Sequence, residues 1–232
     1  MLIVGAVAFA AYWHWLRPWH LRWGATEVEV RRALPGDELL PNPKFSATHA
    51  ITIHAPAGQV WPWLAQIGQG RGGFYSYTWI ENLLGCGIRN ADRVHPEWQN
   101  LKAGDPILLH PKIPPLPAVI LEPGRVIVLH GNTRQGLGSN LVKPGDYLAT
   151  TWGFYLEPVD EHTTRLIERF RSDYNPTPMN TFFNRVILEP GSFIMERKML
   201  LGIKERAEGA VRQPGFLTTI CRLKRATGSP GF

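Results

Sequence analysis

Cysteine is scarce: the 232 residues hold two, Cys86 and Cys221, far apart and with no histidine at ligand spacing. That excludes a disulfide-stapled small fold and a thiolate zinc site, leaving two separate thiols or one long-range pair. His95 stands alone before Pro96, so neither a metal nor a cofactor is expected. The signatures G-x-S-x-G and H-E-x-x-H are absent, which removes two common hydrolase classes. No internal repeat or low-complexity tract is visible. Net charge is nearly missing from the middle of the chain. Of the total of +6, residues 1–32 carry +2 and residues 196–232 carry +5, leaving the body at −1. Nucleic-acid binders need a basic stripe interleaved with aromatics on one folded face. Basic ends on a neutral body suit an anionic membrane surface instead. A membrane partner is expected, and nucleic acid is not.

What is present begins with MLIVGAVAFAAYWHWL, free of charge until Arg17, Trp19 and Arg22. A helix of that length rises about 24 Å, short of a roughly 30 Å hydrocarbon core. Trp13, Trp15, Trp19 and Trp23 supply an interfacial belt to complete it. Residues 1–17 therefore read as a membrane helix, and the arginines after it place the bulk of the chain in the cytoplasm. A signal peptide cleaved near Ala8-Phe9-Ala10 and a buried core helix are the rival readings.

GQGRGG at 68–73 matches G-x-G-x-x-G, and Asp92 follows at the distance of a ribose ligand. A dinucleotide fingerprint needs a strand before its first glycine and a helix directly after it. Here PAGQVWPWLAQI, helical in pattern, comes first, and FYSYTWIENLLG starts a second helix several residues late. The match is fortuitous, and the glycines serve a tight turn between two short helices.

Elsewhere TEVEVRR alternates and reads as a short strand or extended arm, and THAITIHA reads as a strand with Ile51 and Ile53 on one side. DPILLH, PAVILEP, RVIVLHG, DYLATTWGFYLEPV and TTRLIERFRS follow with short turns between them, an antiparallel meander. The segment after Pro176 turns helical, with Pro190-Gly191 expected to split a shorter piece from a longer one. The first strand, followed by helices, is expected to pair with the last.

PWHLRWGATEVEVRRALPGDELLP, the stretch from Ile51 to Gly85, IRNADRVHPEWQNLKAGD and FIMERKMLLGIKERAE together resemble a membrane-anchored bacterial branch of the SRPBCC superfamily. That group includes START domains, polyketide cyclases/dehydrases and birch-pollen-allergen-like proteins. The resemblance implies an α+β helix-grip fold: a curved antiparallel sheet wrapped around a long C-terminal helix, two short helices after the first strand, and an apolar cavity between. The division expected is an anchor (1–17), a linker or arm (18–46), the SRPBCC domain (47–211) and a basic tail (212–232), the tail either an amphipathic helix or frayed.

Strand phase picks the candidates. Trp152 and Phe154 share an inward phase, as do Glu168 and Phe170, with Arg165, Arg169 and Arg171 outside. Glu168 is a cavity carboxylate, unless a bulge or strand end frees it or an arginine pairs it. On the long helix Met195, Met199 and the intruding Glu196 share the apolar face. Trp63, Tyr75 and Tyr77 complete the expected ligand-binding set, and Glu168 and Glu196 are the acid/base candidates. The polar-aromatic segments from Tyr75 to Asn82, which includes Glu81, and from Asn90 to Gln99 read as a cavity rim or a self-satisfied loop network. Membrane-tethered binding or transport of a hydrophobic small molecule or lipid is the leading expectation. A cyclase/dehydratase-type enzyme using a cavity carboxylate or tyrosine is one rival, and an interaction module without a ligand is the other.

Overall fold

The computed structural model describes Val7 and residues 10–136, 142, 143 and 145–212. Six strands form one antiparallel sheet in the order β1-β6-β5-β4-β3-β2. They span Phe45–Ile53 (β1), Pro106–Ile107 (β2), Leu116–Glu122 (β3), Val126–Asn132 (β4), Leu148–Asp160 (β5) and Thr163–Tyr174 (β6). β1 pairs with β6 along its whole length, Phe45 opposite Ser172 and Ile53 opposite Thr164. A helix-containing excursion between β1 and β2 leaves β1 free to close the sheet against the last strand. Only Pro106 and Ile107 of DPILLH join the ladder.

The helices are Arg17–His20 (α1, entered through a π-helical turn at Tyr12–Leu16), Glu27–Arg31 (α2), Ala57–Ala65 (α3), Thr78–Leu83 (α4), Pro178–Phe182 (α5) and Glu189–Arg212 (α6). α6 lies against β1 and α3. It buries Met199, Leu200, Ile203 and Ala207, one stripe at helical spacing, against Ile53, Leu64, Trp152, Phe154 and Leu166. A long helix gripped by an antiparallel sheet is the helix-grip arrangement. Pro190-Gly191 does not split it. Phe183–Leu188 form a π-helical segment with αR residues at both ends, so helix continues from Pro178 to Arg212. Pro190 lacks an N–H to donate back into that segment, and the wider π turn accommodates the loss.

The stretch before β1 departs further from expectation. TEVEVRR is helical, not extended. Thr26 accepts from the Glu29 N–H at 3.2 Å while the Glu29 carboxylate accepts from the Thr26 N–H at 2.6 Å, a reciprocal N-terminal cap. Nor are residues 18–46 a loose linker. The Thr48 and Ala50 N–H groups donate to the carbonyls of Leu21 and Trp23, so residues 21–23 cover the free edge of β1. Gly24 permits this approach: a Cβ there would sit 2.1 Å from the Ala50 carbonyl oxygen.

The arm then crosses the outer face of the sheet, where Leu34 joins Ala50, Val126, Val128, Tyr155 and Ile167 in a second core. Arg165, Arg169 and Arg171 do point outward from the helix side, but into this arm rather than water. Arg169 donates to the carbonyls of Glu29, Val30 and Arg32 and pairs with Asp37 at 2.6 Å. Arg165 pairs with Glu29 through two nitrogens, at 2.7 and 2.9 Å. Buried charges of this kind hold because every nitrogen finds an acceptor.

Candidate functional site

β1, β6, β5 and α6 each send one polar side chain to the same point. His49 on β1 lies directly opposite Glu168 on β6. Its Nδ1 is 2.7 Å from Glu168 Oε2 and 3.4 Å from Glu196 Oε2. Trp152 Nε1–H donates to Glu168 Oε1 at 2.6 Å. The other side of the His49 ring is fixed by the backbone, Nε2 donating to the His20 carbonyl at 2.9 Å. All four side chains are buried.

Burial disfavours a charged His49, yet the hydrogen bond and charge of Glu168, with Glu196 beyond, raise its pKa to about 9. Burial and the charge of Glu168 push Glu196 up to about 8, with His49 pulling the other way. His20 moves oppositely. Burial, Arg17 and His49 lower it to about 4, so its ring is neutral at physiological pH.

Glu196 also faces a pocket of about 270 Å³, just under the usual small-molecule range. Its apolar wall is Phe74, Leu84, Leu109, Trp152, Phe170 and Met195; Ser76, Glu81, Cys86 and Ser192 add polar atoms. The mouth opens beside α4, where Leu84 lines the pocket while 69 % exposed. Glu81 Oε2 and Glu196 Oε2 are both buried without a hydrogen-bond partner. Burial raises Glu81 to about 7 and, together with Glu81, raises the Cys86 thiol.

Tyr75 is held at φ 57°, the one left-handed non-glycine among the described residues. Its N–H donates to Asn90 Oδ1 at 2.7 Å and its hydroxyl to the Trp63 carbonyl at 3.0 Å. Those bonds stabilise a strained conformation that sets Phe74 and Ser76, on either side, into the pocket wall. Gly202 on α6 leaves room for the bend, since a Cβ there would meet the Tyr75 carbonyl oxygen at 2.3 Å.

Of the residues singled out from sequence, Trp152, Phe170, Met195 and Glu196 line this pocket. Glu168 lies behind Trp152. Trp63, Tyr75, Phe154 and Met199 sit in the core, and Tyr77 is half-buried just ahead of α4. Asn90, Asp92, Arg93, His95 and Trp98 do not rim the apolar pocket. They converge with Arg71 and Arg89 on a separate polar one of about 560 Å³, where Asn90 and Gln66 bond the surrounding backbone. The glycine loop closes on itself through paired Gly68–Gly73 backbone bonds of 3.0 Å. α3 ends before it and α4 starts only at Thr78, so it lacks the strand–turn–helix of a nucleotide site. Glu81, read from sequence as part of a cavity rim, does line the pocket, whereas sequence reasoning missed His49 and the His20 carbonyl.

No protein-family model and no curated protein matches the chain. Among solved structures, a hypothetical protein from Helicobacter pylori aligns with TM-score 0.42 and 8% identity over 75% of this chain and 95% of that one. The aromatase/cyclase Zhui from Streptomyces sp. R1128 aligns with TM-score 0.34 and 14% identity, over 74% and 98%. A polyketide cyclase-like protein from Corynebacterium glutamicum gives TM-score 0.31 and 16% identity, over 72% and 93%. At such values these likenesses say nothing about what the pocket does.

Proposed function

We propose that the pocket binds a small hydrophobic molecule bearing one polar group, and that the protein does so at a membrane surface. One observation carries the binding reading: an apolar pocket is lined by two carboxyl side chains, of which Glu81 Oε2 is buried with no hydrogen-bond partner and Glu196 Oε2 has only the His49 ring, at 3.4 Å. Buried polar atoms are normally paired, and a ligand hydroxyl or carbonyl supplies the missing partner. The volume suits a compact molecule rather than a complete two-chain lipid. Native mass spectrometry of the full chain, isolated without delipidation, is expected to show a co-purifying small molecule. That molecule is expected to be lost in Met195→Trp, which fills the wall. Retention of the same molecule by a folded Met195→Trp protein places it elsewhere and refutes the reading.

The membrane part rests on the surface. α1 and the helical run 178–194 are joined by the Arg17–Glu189 pair at 2.7 Å and by the Trp19–Phe193 ring contact. Both leave large apolar side chains exposed, among them Trp15, Trp19, Phe182, Phe183 and Ile187. No helix among the described residues is long and apolar enough to cross a membrane. The anchor expected at 1–17 lies partly outside those residues, and the tail from 213 wholly so. Flotation with anionic vesicles is expected to carry the full chain upward, and Phe182→Ser with Phe183→Ser and Ile187→Ser to weaken it. Unchanged flotation of the triple variant removes this face from the proposal.

A second reading, an acid–base enzyme of cyclase/dehydratase type, is favoured by Glu81, whose raised pKa suits proton transfer near neutrality. It predicts that a bound β-hydroxy ketone loses one water in the wild type and not in Glu81→Gln. Equal loss in both rejects it.

A further inference from the structure

His49 Nδ1 and a carboxylate oxygen from each of Glu168 and Glu196 lie within 4.8 Å of one another. They come from three elements, β1, β6 and α6, so the sequence spacing that marks a metal motif is absent although the donors converge. The surroundings already orient each donor inward. His49 Nε2 is committed to the His20 carbonyl and Glu168 Oε1 to the Trp152 indole, which leaves Nδ1 and Oε2 facing the centre. A ring nitrogen hydrogen-bonded on its far side, and a carboxylate held by a second donor, are the outer-shell arrangement typical of metal sites. Glu196, only 7 % exposed, aims Oε2 at the same centre with no hydrogen-bond partner.

The geometry points to a divalent transition-metal site of the zinc class, formed by His49, Glu168 and Glu196 behind the pocket wall. Metal–ligand distances near 2.0–2.2 Å place tetrahedral donors about 3.3–3.6 Å apart. The observed Nδ1–oxygen separations of 2.7 and 3.4 Å lie near that range, and all three donors fall within 4.8 Å of one another. Metal binding displaces the proton from His49 Nδ1, and the two carboxylates with the resulting neutral imidazole then balance a dication, as an apolar surround requires. One nitrogen and two oxygens without thiolate suit Zn²⁺, Mn²⁺ or Co²⁺ rather than Cu⁺, and three ligands are too few for Ca²⁺. Three protein ligands leave a fourth position, as in sites where the metal meets a bound molecule. Glu196 is the ligand that also lines the pocket. The inference is independent of what the pocket binds, because metal uptake needs no second ligand.

The test uses the full chain, without a histidine tag or chelator, for elemental analysis. After stripping, Zn²⁺, Mn²⁺ and Co²⁺ are titrated separately by calorimetry, and Co²⁺ also by its visible absorption. One equivalent per chain is expected, with Kd below about 1 µM for Zn²⁺. Glu196→Gln, nearly isosteric, is expected to weaken binding at least ~100-fold while keeping the metal-free melting curve. Trp152→Phe, which touches no metal, is expected to weaken it ~10–100-fold. If His49→Ala fails to fold, the Glu196→Gln comparison decides alone. Absence of both co-purified metal and saturable binding overturns the site, and so does binding that survives Glu196→Gln unchanged. The cluster is then a hydrogen-bonded triad only.

Discussion

Replacing Glu81 by Gln removes a titrating proton from the pocket while keeping its shape. Burial raises the Glu81 carboxyl from 4.5 to about 7. The folded state therefore holds this proton more tightly than the unfolded chain. Its stabilising contribution is complete below pH 4.5 and is lost as pH rises through about 7. At about 1.36 kcal/mol per unit the shift corresponds to at most about 3 kcal/mol, and water entering at the Leu84 mouth reduces this to about 1–2 kcal/mol. Urea unfolding of the wild type and Glu81→Gln between about pH 5 and 8 isolates the group, because every other titration is common to both. The wild type is expected to lose about 1–2 kcal/mol relative to the variant across that range. Parallel stability profiles would falsify the assignment of Glu81 as a buried, solvent-starved carboxyl. An additive offset alone, with no pH dependence, does the same.

Three further outcomes follow from the packing. Arg169→Met removes the donor from three arm carbonyls and leaves Asp37 with Arg171 as its remaining arginine, so a loss of about 3 kcal/mol is expected, with faster hydrogen exchange in 26–34; a loss below about 1 kcal/mol rejects the clamped arm. Truncating residues 1–11 is expected to be nearly neutral by thermal melting, whereas truncating 1–17 removes Arg17 from the fully buried Glu189 carboxylate and costs about 3 kcal/mol; equal melting of the two truncations contradicts the pair. Trp152→Phe is expected to cost about 1–3 kcal/mol by leaving Glu168 Oε1 without a donor, and a neutral result by urea titration counts against that bond.

The sheet was legible because period-2 alternation is strong where one face is buried. It put Trp152 and Glu168 on the same side, and the structure joins them by a hydrogen bond. His49 stands in phase with Ile51 and Ile53, so its inward direction is also written in β1. Its partner, 119 positions away, is not, because register between distant strands leaves no local mark. TEVEVRR shows the limit of short windows. Val28 and Val30 suit a strand, while Thr26 and Glu29 spell a helix cap, and over so few residues the cap decides. The covered outer face was hidden for another reason. Three arginines in alternation look ready for water, and only the carbonyls and acids of the arm reveal that they are cross-links.

The acceptor that orients His49 is the carbonyl of His20, a main-chain atom. Substituting the side chain at 20 leaves it in place, so the bond is a property of the chain's path and not of residue choice. Its position is set by the edge pairing of residues 21–23 with β1. Peeling that edge away, whether by proteolysis or by tension along the N-terminal segment, would withdraw the oxygen and free the ring to turn. The buried cluster is thereby mechanically geared to a surface segment, and its geometry reports whether that segment is seated.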